Sequence, residues 1–450
     1  MIPNIFKAYD IRGLVGSELT KQFAFSTGVA FAKFLEQERE PGTVVIGEDM
    51  RPSSPELAEA FSAGVTSQGM DVIRIGLAST DMLYFAAGKL NLPGAMFTAS
   101  HNPAEYNGIK LCLSGARPIG KESGLLTIEK LVREGVPVSM RSVGKESHRE
   151  MLADYVEHLL TLVDVSNIRK LRIVVDAGNG MAGHTAPAVF SKMNVSVTEM
   201  YYELDGTFPN HEANPIDEEN LSDLKKMVRT KKADIGLAFD GDADRCFLVD
   251  EKGSAVNPSL LTALIADREL AKKPGSPIIY NLISSRAVKE IVEERGGKPL
   301  RSRVGHSFIK AMMAESGAIF GGEHSGHFYF ADFWRADSGM LAALHAIAAL
   351  GETDQTLSEL LQPYARYSAS GEINSQVVDS KAVMETIKEI YGAKSGVTTD
   401  DLDGLTINGD TWWFNVRASN TEPLLRLNVE AKTQSQMAEL RDEVLQLIRG

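Results

Sequence analysis

Short apolar runs alternate with amphipathic stretches along most of this chain, and no other feature constrains its fold as tightly. A run of four to six apolar residues followed by a helix-period stretch reads as a buried strand and the helix that covers it, so the pattern predicts α/β architecture. Thr43-Val-Val-Ile-Gly47 predicts a first buried strand. Ser53-Ser-Pro-Glu56 predicts a capping box with proline in the first turn of a helix, which Gly69 ends. Asp71–Ile75 and Ala95–Thr98 predict the following strands, and the polar segment from Gly135 to about Glu150 predicts a linker. The rhythm restarts with a helix over Met151–Val163 and strands at Leu171–Asp176, Ala233–Phe239 and Cys246–Val249. A third round has strands near Pro277–Tyr280 and Ala318–Phe320 and an Ala-rich helix over Ser338–Leu350. The tail reads as strand, loop, strand, helix: Trp412–Val416, Arg417–Pro423, Leu424–Ala431, Gln434–Ile448. Length alone, 450 residues, predicts three domains of ~150. The pattern predicts four, at 1–149, 150–252, 253–365 and 366–450.

Charge excludes several partners. With 47 Lys+Arg against 60 Asp+Glu the net charge is −13, so no basic face for nucleic acid or an acidic membrane is expected. The longest apolar stretch, Met340–Leu350, is interrupted by His345 and falls short of the ~20 residues that span a bilayer. No basic leader precedes an apolar core at the N-terminus, and a cytoplasmic protein is expected. Cys112 and Cys246 both sit in apolar runs and read as small buried hydrophobes rather than a disulfide or metal site.

Four loops carry chemistry. Thr98-Ala-Ser-His-Asn-Pro103 follows a predicted strand and precedes Tyr106-Asn-Gly-Ile-Lys110. Ser100 can expose its hydroxyl there, with His101 and Lys110 as candidates to take its proton. Alone, the segment also reads as an Asx or Ser turn before proline. Phe239-Asp-Gly-Asp-Ala-Asp-Arg245 sets Asp240, Asp242 and Asp244 at alternate positions, where a curled loop makes them converge. Two like charges ~4 Å apart repel by about 4 kcal/mol at an effective dielectric of ~20, so three want a divalent cation. Hard oxygen ligands without Cys or His indicate Mg²⁺ or Ca²⁺. A calcium EF-hand fails despite Glu251, because Arg245 stands where its turn glycine belongs. A solvated acidic turn is the alternative. Arg245 adds positive charge toward a phosphate. Gly321-Gly-Glu-His-Ser-Gly-His327 offers Glu323, His324, Ser325 and His327 for hydroxyl binding and proton transfer, or is a polar hairpin turn. Arg417-Ala-Ser-Asn-Thr-Glu-Pro-Leu-Leu-Arg426 suits a phosphate, or is a plain inter-strand loop. One loop in each block predicts a central cleft where the four domains meet.

In this order and spacing the four segments resemble the α-D-phosphohexomutase superfamily, most closely its phosphomannomutase/phosphoglucomutase branch. The resemblance runs from Tyr9-Asp-Ile-Arg-Gly13 to Arg426, and the Ser100 loop paired with the aspartate loop is its most specific part. It implies three mixed α/β layered domains and a smaller C-terminal α+β domain. It also implies that Ser100 is a phosphoserine whose phosphoryl oxygen completes a Mg²⁺ site with Asp240, Asp242 and Asp244. The implied reaction moves phosphate between O1 and O6 of mannose or glucose through a hexose 1,6-bisphosphate, which also serves as activator. Tyr9, Arg12, His306, Lys110 and His327 would line the reacting side, the last two transferring protons. Glu323 and Ser325 would hold the O3 and O4 hydroxyls, and Arg417, Ser419, Asn420, Thr421 and Arg426 the non-reacting phosphate. Hexose phosphates are the implied partners of a monomer or dimer.

One departure stands out. Many relatives carry a basic residue in the loop that here reads Asn281-Leu-Ile-Ser-Ser-Arg286, with Ile283 at the equivalent place. Either Arg286 or Arg303 substitutes, or one ligand contact is missing. Phosphoglucosamine mutase is the alternative within the superfamily, opposed by Thr98 where those relatives tend to carry Ser. A metal-dependent sugar-phosphate phosphatase built on Asp240-x-Asp242 would leave Ser100 and the fourth loop without a role. So would a non-catalytic sugar-phosphate binder.

Overall fold

The structure, a computed structural model, describes residues 5–137, 139–418 and 424–450. The chain divides into two compact units: residues 1–258 with 313–315 and 325–360, and residues 259–312 with 316–324 and 361–450.

The first unit contains two layered sheets. One runs in the order Ile11–Leu14, Tyr106–Leu113, Gly94–Phe97, Thr43–Glu48, Asp71–Leu77, Glu146–His148, with Arg117–Pro118 beside Tyr106–Leu113. Its central strands Gly94–Phe97, Thr43–Glu48 and Asp71–Leu77 are parallel. Helices cover such strands on both faces, so they read as unbroken apolar runs. The second sheet runs Cys246–Val249, Ile235–Phe239, Leu171–Asp176, Val195–Met200, antiparallel only at its first pair. The helix Gly339–Gly351, capped by the Ser338 hydroxyl, is buried along its whole length. His345, which interrupts its apolar sequence, stacks on Phe330 with ring centroids 5.3 Å apart. Among the described residues no helix is long and apolar enough to cross a membrane. Both cysteines are buried, and neither is in a disulfide.

Two local expectations are corrected. Ser53 does not cap the helix Ser54–Ser67 with its side chain. Ser53 already has helical dihedrals, φ −86° and ψ −15°, where a cap needs extended ones, and its hydroxyl accepts from Asn107 Nδ2 at 2.8 Å. The expected linker also contains a strand, Glu146–His148, paired in parallel with Val72–Arg74. Its side chains are exposed, so backbone pairing alone makes it a strand and no apolar pattern announces it.

In the second unit, Lys298–Ser302, Pro277–Asn281 and Phe320–Gly322 form parallel pairs around Pro277–Asn281. The C-terminal part is an antiparallel sheet in the order Ser368–Gln376, Leu424–Ala431, Trp412–Ala418, Leu405–Asn408, Thr398–Asp400. Helices Ser380–Gly392 and Gln434–Arg449 supply the apolar faces that close its core. Tyr391 meets Phe414 edge-on there, centroids 4.8 Å apart. The sequence-based outline of this part lacked three of its five strands and the first of its helices.

Candidate active site

Adjacent parallel strands whose connections depart in opposite directions leave a crevice at their carboxyl ends. In the first sheet this happens between Thr43–Glu48 and Gly94–Phe97, and the Ser100 loop leaves from the latter. Ser100 takes φ 52°, a left-handed conformation that costs a non-glycine residue on the order of 1 to 3 kcal/mol. The surroundings hold it there. Its N–H donates to Thr98 Oγ1, and its hydroxyl donates to Asp240 Oδ2, both at 2.9 Å.

The second sheet repeats the arrangement between Leu171–Asp176 and Ile235–Phe239, and the aspartate loop leaves from Ile235–Phe239. Gly241 lies so close to the Ser100 carbonyl that a Cβ would collide with it, and Gly180 lies equally close to Gly241. Two loops, one from each sheet, therefore meet backbone to backbone at Ser100. Ala243 takes φ 60°, which curls the loop and turns Asp240, Asp242 and Asp244 inward. One oxygen from each lies within 4.8 Å of the others, and all three side chains are buried.

Three buried carboxylates need positive charge close by. Lys110 Nζ donates to Asp242 Oδ2 and to Asp244 Oδ2, each at 2.6 Å. Arg245 donates to Asp240 Oδ2 through Nε at 2.8 Å and to Oδ1 through its backbone N–H at 3.1 Å. Thr80 Oγ1 donates to Asp242 Oδ2 at 2.6 Å. Burial opposes the Asp242 charge, but the Lys110 ammonium outweighs it and holds that carboxyl far below its usual range. Burial pushes Asp240 up to about 7 against the pull of Arg245, with Asp244 and Asp242 adding repulsion. Asp242 Oδ1, Asp244 Oδ1 and one Arg245 terminal nitrogen are buried without a hydrogen-bond partner. The open carboxylate oxygens fit a hard divalent cation, and the open guanidinium nitrogen fits an anionic oxygen.

Two histidines flank this centre. His101 Nδ1 lies 3.3 Å from the Ser100 hydroxyl. Burial, then Arg245 and Arg12, hold His101 well below its ordinary range, so it is neutral at neutral pH. His327 Nδ1 lies 3.0 Å from Asp337 Oδ2 and 3.8 Å from Asp244 Oδ1. Burial lowers its proton affinity, but Asp244 and Asp337 overcome that and raise it. Arg12 reaches the same loop, donating to Asn102 Oδ1 at 2.6 Å and pairing with Asp10 at 2.5 Å.

The structure thus brings together Arg12, Ser100, His101, Lys110, the three aspartates, Arg245 and His327. Tyr9 and Ser325, both half-buried, belong to the same unit. In the second unit Glu323 is buried and accepts from Gly305 N–H at 3.1 Å and Asn281 Nδ2 at 3.4 Å. His306 is the first residue of the helix His306–Ser316. Arg417 and Arg426 are cross-strand neighbours that share Glu372, at 3.3 and 3.6 Å. Ser419, Asn420 and Thr421 lie outside the described residues.

Neither arginine raised as a substitute at the departing loop stands free. Arg286 donates to the carbonyls of Asp410, Gly409 and Trp412, and Arg303 lies over the Phe308 ring. Ile283 packs with Leu282 and Trp413. Three residues that no motif marked also touch the site: Thr80, Asp337 and Arg51. Thr80 and Arg51 follow parallel strands, a position where ligand loops gather. Nothing in the sequence singles out Asp337.

Comparison with known proteins agrees with this geometry. Family models for phosphoglucomutase/phosphomannomutase match in four consecutive pieces: alpha/beta/alpha domain I over residues 3–136, domain II over 153–253, domain III over 257–367, and the C-terminal domain over 372–447. A relative from Xanthomonas campestris pv. campestris strain B100, described as "Phosphohexose mutases", is 40% identical over 448 residues and spans 99% of both chains. A phosphomannomutase from Salmonella montevideo is 40% identical over 455 residues with the same coverage. The crystal structure of a phosphoglucomutase/phosphomannomutase family protein from Burkholderia thailandensis superposes with TM-score 0.90 at 31% identity, covering 99% of this chain and 97% of that one. The chain belongs to the phosphoglucomutase/phosphomannomutase family of the α-D-phosphohexomutase superfamily, and the protein is an enzyme, a mutase of the isomerase class.

Proposed function

We propose that the protein moves phosphate between O1 and O6 of mannose or glucose, by way of phosphorylated Ser100 and a hexose 1,6-bisphosphate. The observation that carries this reading is the Ser100 hydroxyl 2.9 Å from Asp240, beside open oxygens of Asp242 and Asp244. Mg²⁺ bound by the three aspartates and a phosphoryl oxygen on Ser100 would neutralise charge on the transferring group. Arg245, already fixed on Asp240, turns its open nitrogen to the same group.

Lys110 and His327 exchange protons with the sugar hydroxyls, and neutral His101 sits against the Ser100 oxygen. Glu323 and Ser325 take the O3 and O4 hydroxyls. Arg417, Ser419, Asn420, Thr421 and Arg426 hold the phosphate that does not react. Tyr9, Arg12 and His306 line the reacting side. Relatives named phosphomannomutase and family models named phosphoglucomutase/phosphomannomutase support mannose and glucose phosphates as substrates, and a hexose 1,6-bisphosphate would serve as activator. The domain boundaries 1–149, 150–252, 253–365 and 366–450 give each motif its own domain.

Incubation with ³²P-labelled glucose 1,6-bisphosphate should label wild-type Ser100. Turnover on mannose 1-phosphate or glucose 1-phosphate should exceed that on glucosamine 1-phosphate, and Ser100→Ala should abolish label and turnover together. Retention of more than a few per cent of activity by Ser100→Ala would overturn the phosphoserine. Preference for glucosamine 1-phosphate would favour the glucosamine reading.

A further inference from the structure

Arg51 lies on the loop after Thr43–Glu48, and Ser100 on the loop after the adjacent strand Gly94–Phe97. The two loops face each other across the crevice of the first sheet. Arg51 is among the largest fully buried side chains in the molecule. A buried guanidinium must find hydrogen-bond acceptors for its donors, and this one finds them almost wholly in the nucleophile loop. It donates to the carbonyls of Ser100 at 2.9 Å, Asn102 at 2.6 Å, Pro103 at 2.8 Å and Tyr106 at 3.0 Å.

Asp49, two residues earlier, supplies the counter-charge at 3.3 Å, and is itself held by the Ser54 hydroxyl at 2.6 Å. On its other side the guanidinium faces the ring of Phe208 at 5.2 Å, from the second layered domain. The grip falls where the backbone is strained. The Ser100 carbonyl belongs to the residue at φ 52°, and the Asn102 carbonyl to the residue whose side chain accepts from Arg12.

We infer that Arg51 is a positioning residue for phosphoryl transfer: it fixes the left-handed conformation of Ser100 and, through Asn102, the aim of Arg12. This rests on the phosphoserine reading above. Arg51 spends its donors on the chain's own carbonyls, so its work shows in the rate of the chemical step. A lysine keeps the charge but cannot fork to four carbonyls. A misplacement of ~1 Å at a reacting group is enough to cost about 100-fold in rate.

The test is Arg51→Lys in the full-length enzyme, with active sites counted by ³²P uptake from glucose 1,6-bisphosphate. Turnover per labelled site should fall about 100-fold, with KM for glucose 1-phosphate within about threefold of wild type. Wild-type turnover per labelled site, or a raised KM with unchanged kcat, would overturn the proposal while leaving the phosphoserine intact. Absence of label on wild-type Ser100 would overturn both. If Arg51→Lys does not fold, Ser54→Ala loosens Asp49 while leaving Arg51 in place. It should lower turnover per labelled site about fivefold at constant KM, and an unchanged rate there would equally overturn the proposal.

Discussion

Lys110 holds its ammonium 2.6 Å from Asp242 and from Asp244, so a cation entering the aspartate cluster meets a positive charge already in place. Two unit charges ~4 Å apart cost about 4 kcal/mol at an effective dielectric of ~20. Lys110→Met should therefore tighten Mg²⁺ binding to the dephosphorylated enzyme by at least about tenfold, while the proposed proton-transfer role of Lys110 predicts a turnover lower by about 100-fold. Isothermal titration with Mg²⁺ checks the first part; weaker binding would mean that Lys110 organises the aspartates rather than competing with the metal. Ser100, the three aspartates and Arg245 were legible because each stands in a contiguous loop whose chemistry is concentrated in a few positions. Thr80 was not, because its hydrogen bond to Asp242 spans 162 residues and no neighbour marks it.

The helix Thr80–Leu90 begins at a junction of three elements. Asp81 in its first turn accepts from the hydroxyls of Ser79, Tyr155 at 2.7 Å and Ser338 at 2.6 Å. Burial raises this carboxyl from 3.8 to about 6, against the lowering effect of the Ser338, Ser79 and Tyr155 hydroxyls. The folded form therefore holds a proton more tightly than the unfolded one. That contribution is present below pH 4 and is lost as pH rises through 6. At about 1.4 kcal/mol per pKa unit, and with the unfolded carboxyl already more than half ionised at pH 4, the wild type should lose about 2 kcal/mol relative to Asp81→Asn between pH 4 and pH 7. Urea unfolding of both proteins at the two pH values measures the difference, and parallel pH profiles would refute it. The parallel strands Thr43–Glu48, Leu171–Asp176 and Ile235–Phe239 were legible as nearly continuous apolar runs, whereas Val195–Met200 and Lys298–Ser302, parallel as well, carry polar residues and were not. Ser368–Gln376, Thr398–Asp400 and Glu146–His148 were not, because they lie at sheet edges, largely exposed, and carry polar sequence.

The whole chain carries −13, yet the first unit sets Arg12, Lys110 and Arg245 singly around its acidic cluster, and the second sets Arg417 and Arg426 on adjacent strands. Net charge argued against nucleic acid and was silent on small phosphates. The C-terminal domain has a core of its own, drawn entirely from residues within 373–448. Scanning calorimetry should therefore resolve more than one transition, and a chain ending at residue 365 should lose one of them and keep the rest. A single transition in the full chain would mean that this core does not melt independently. The hydrogen bond from Ser338 to Asp81 joins residues 257 positions apart. At ~5 to 20 residues per second on the ribosome, Asp81 waits roughly 13 to 50 s for that partner to be synthesised. Through that interval the nascent first domain carries an incompletely satisfied acidic group. The last stage of the first unit's biogenesis is thus the docking of a late helix start onto an early one.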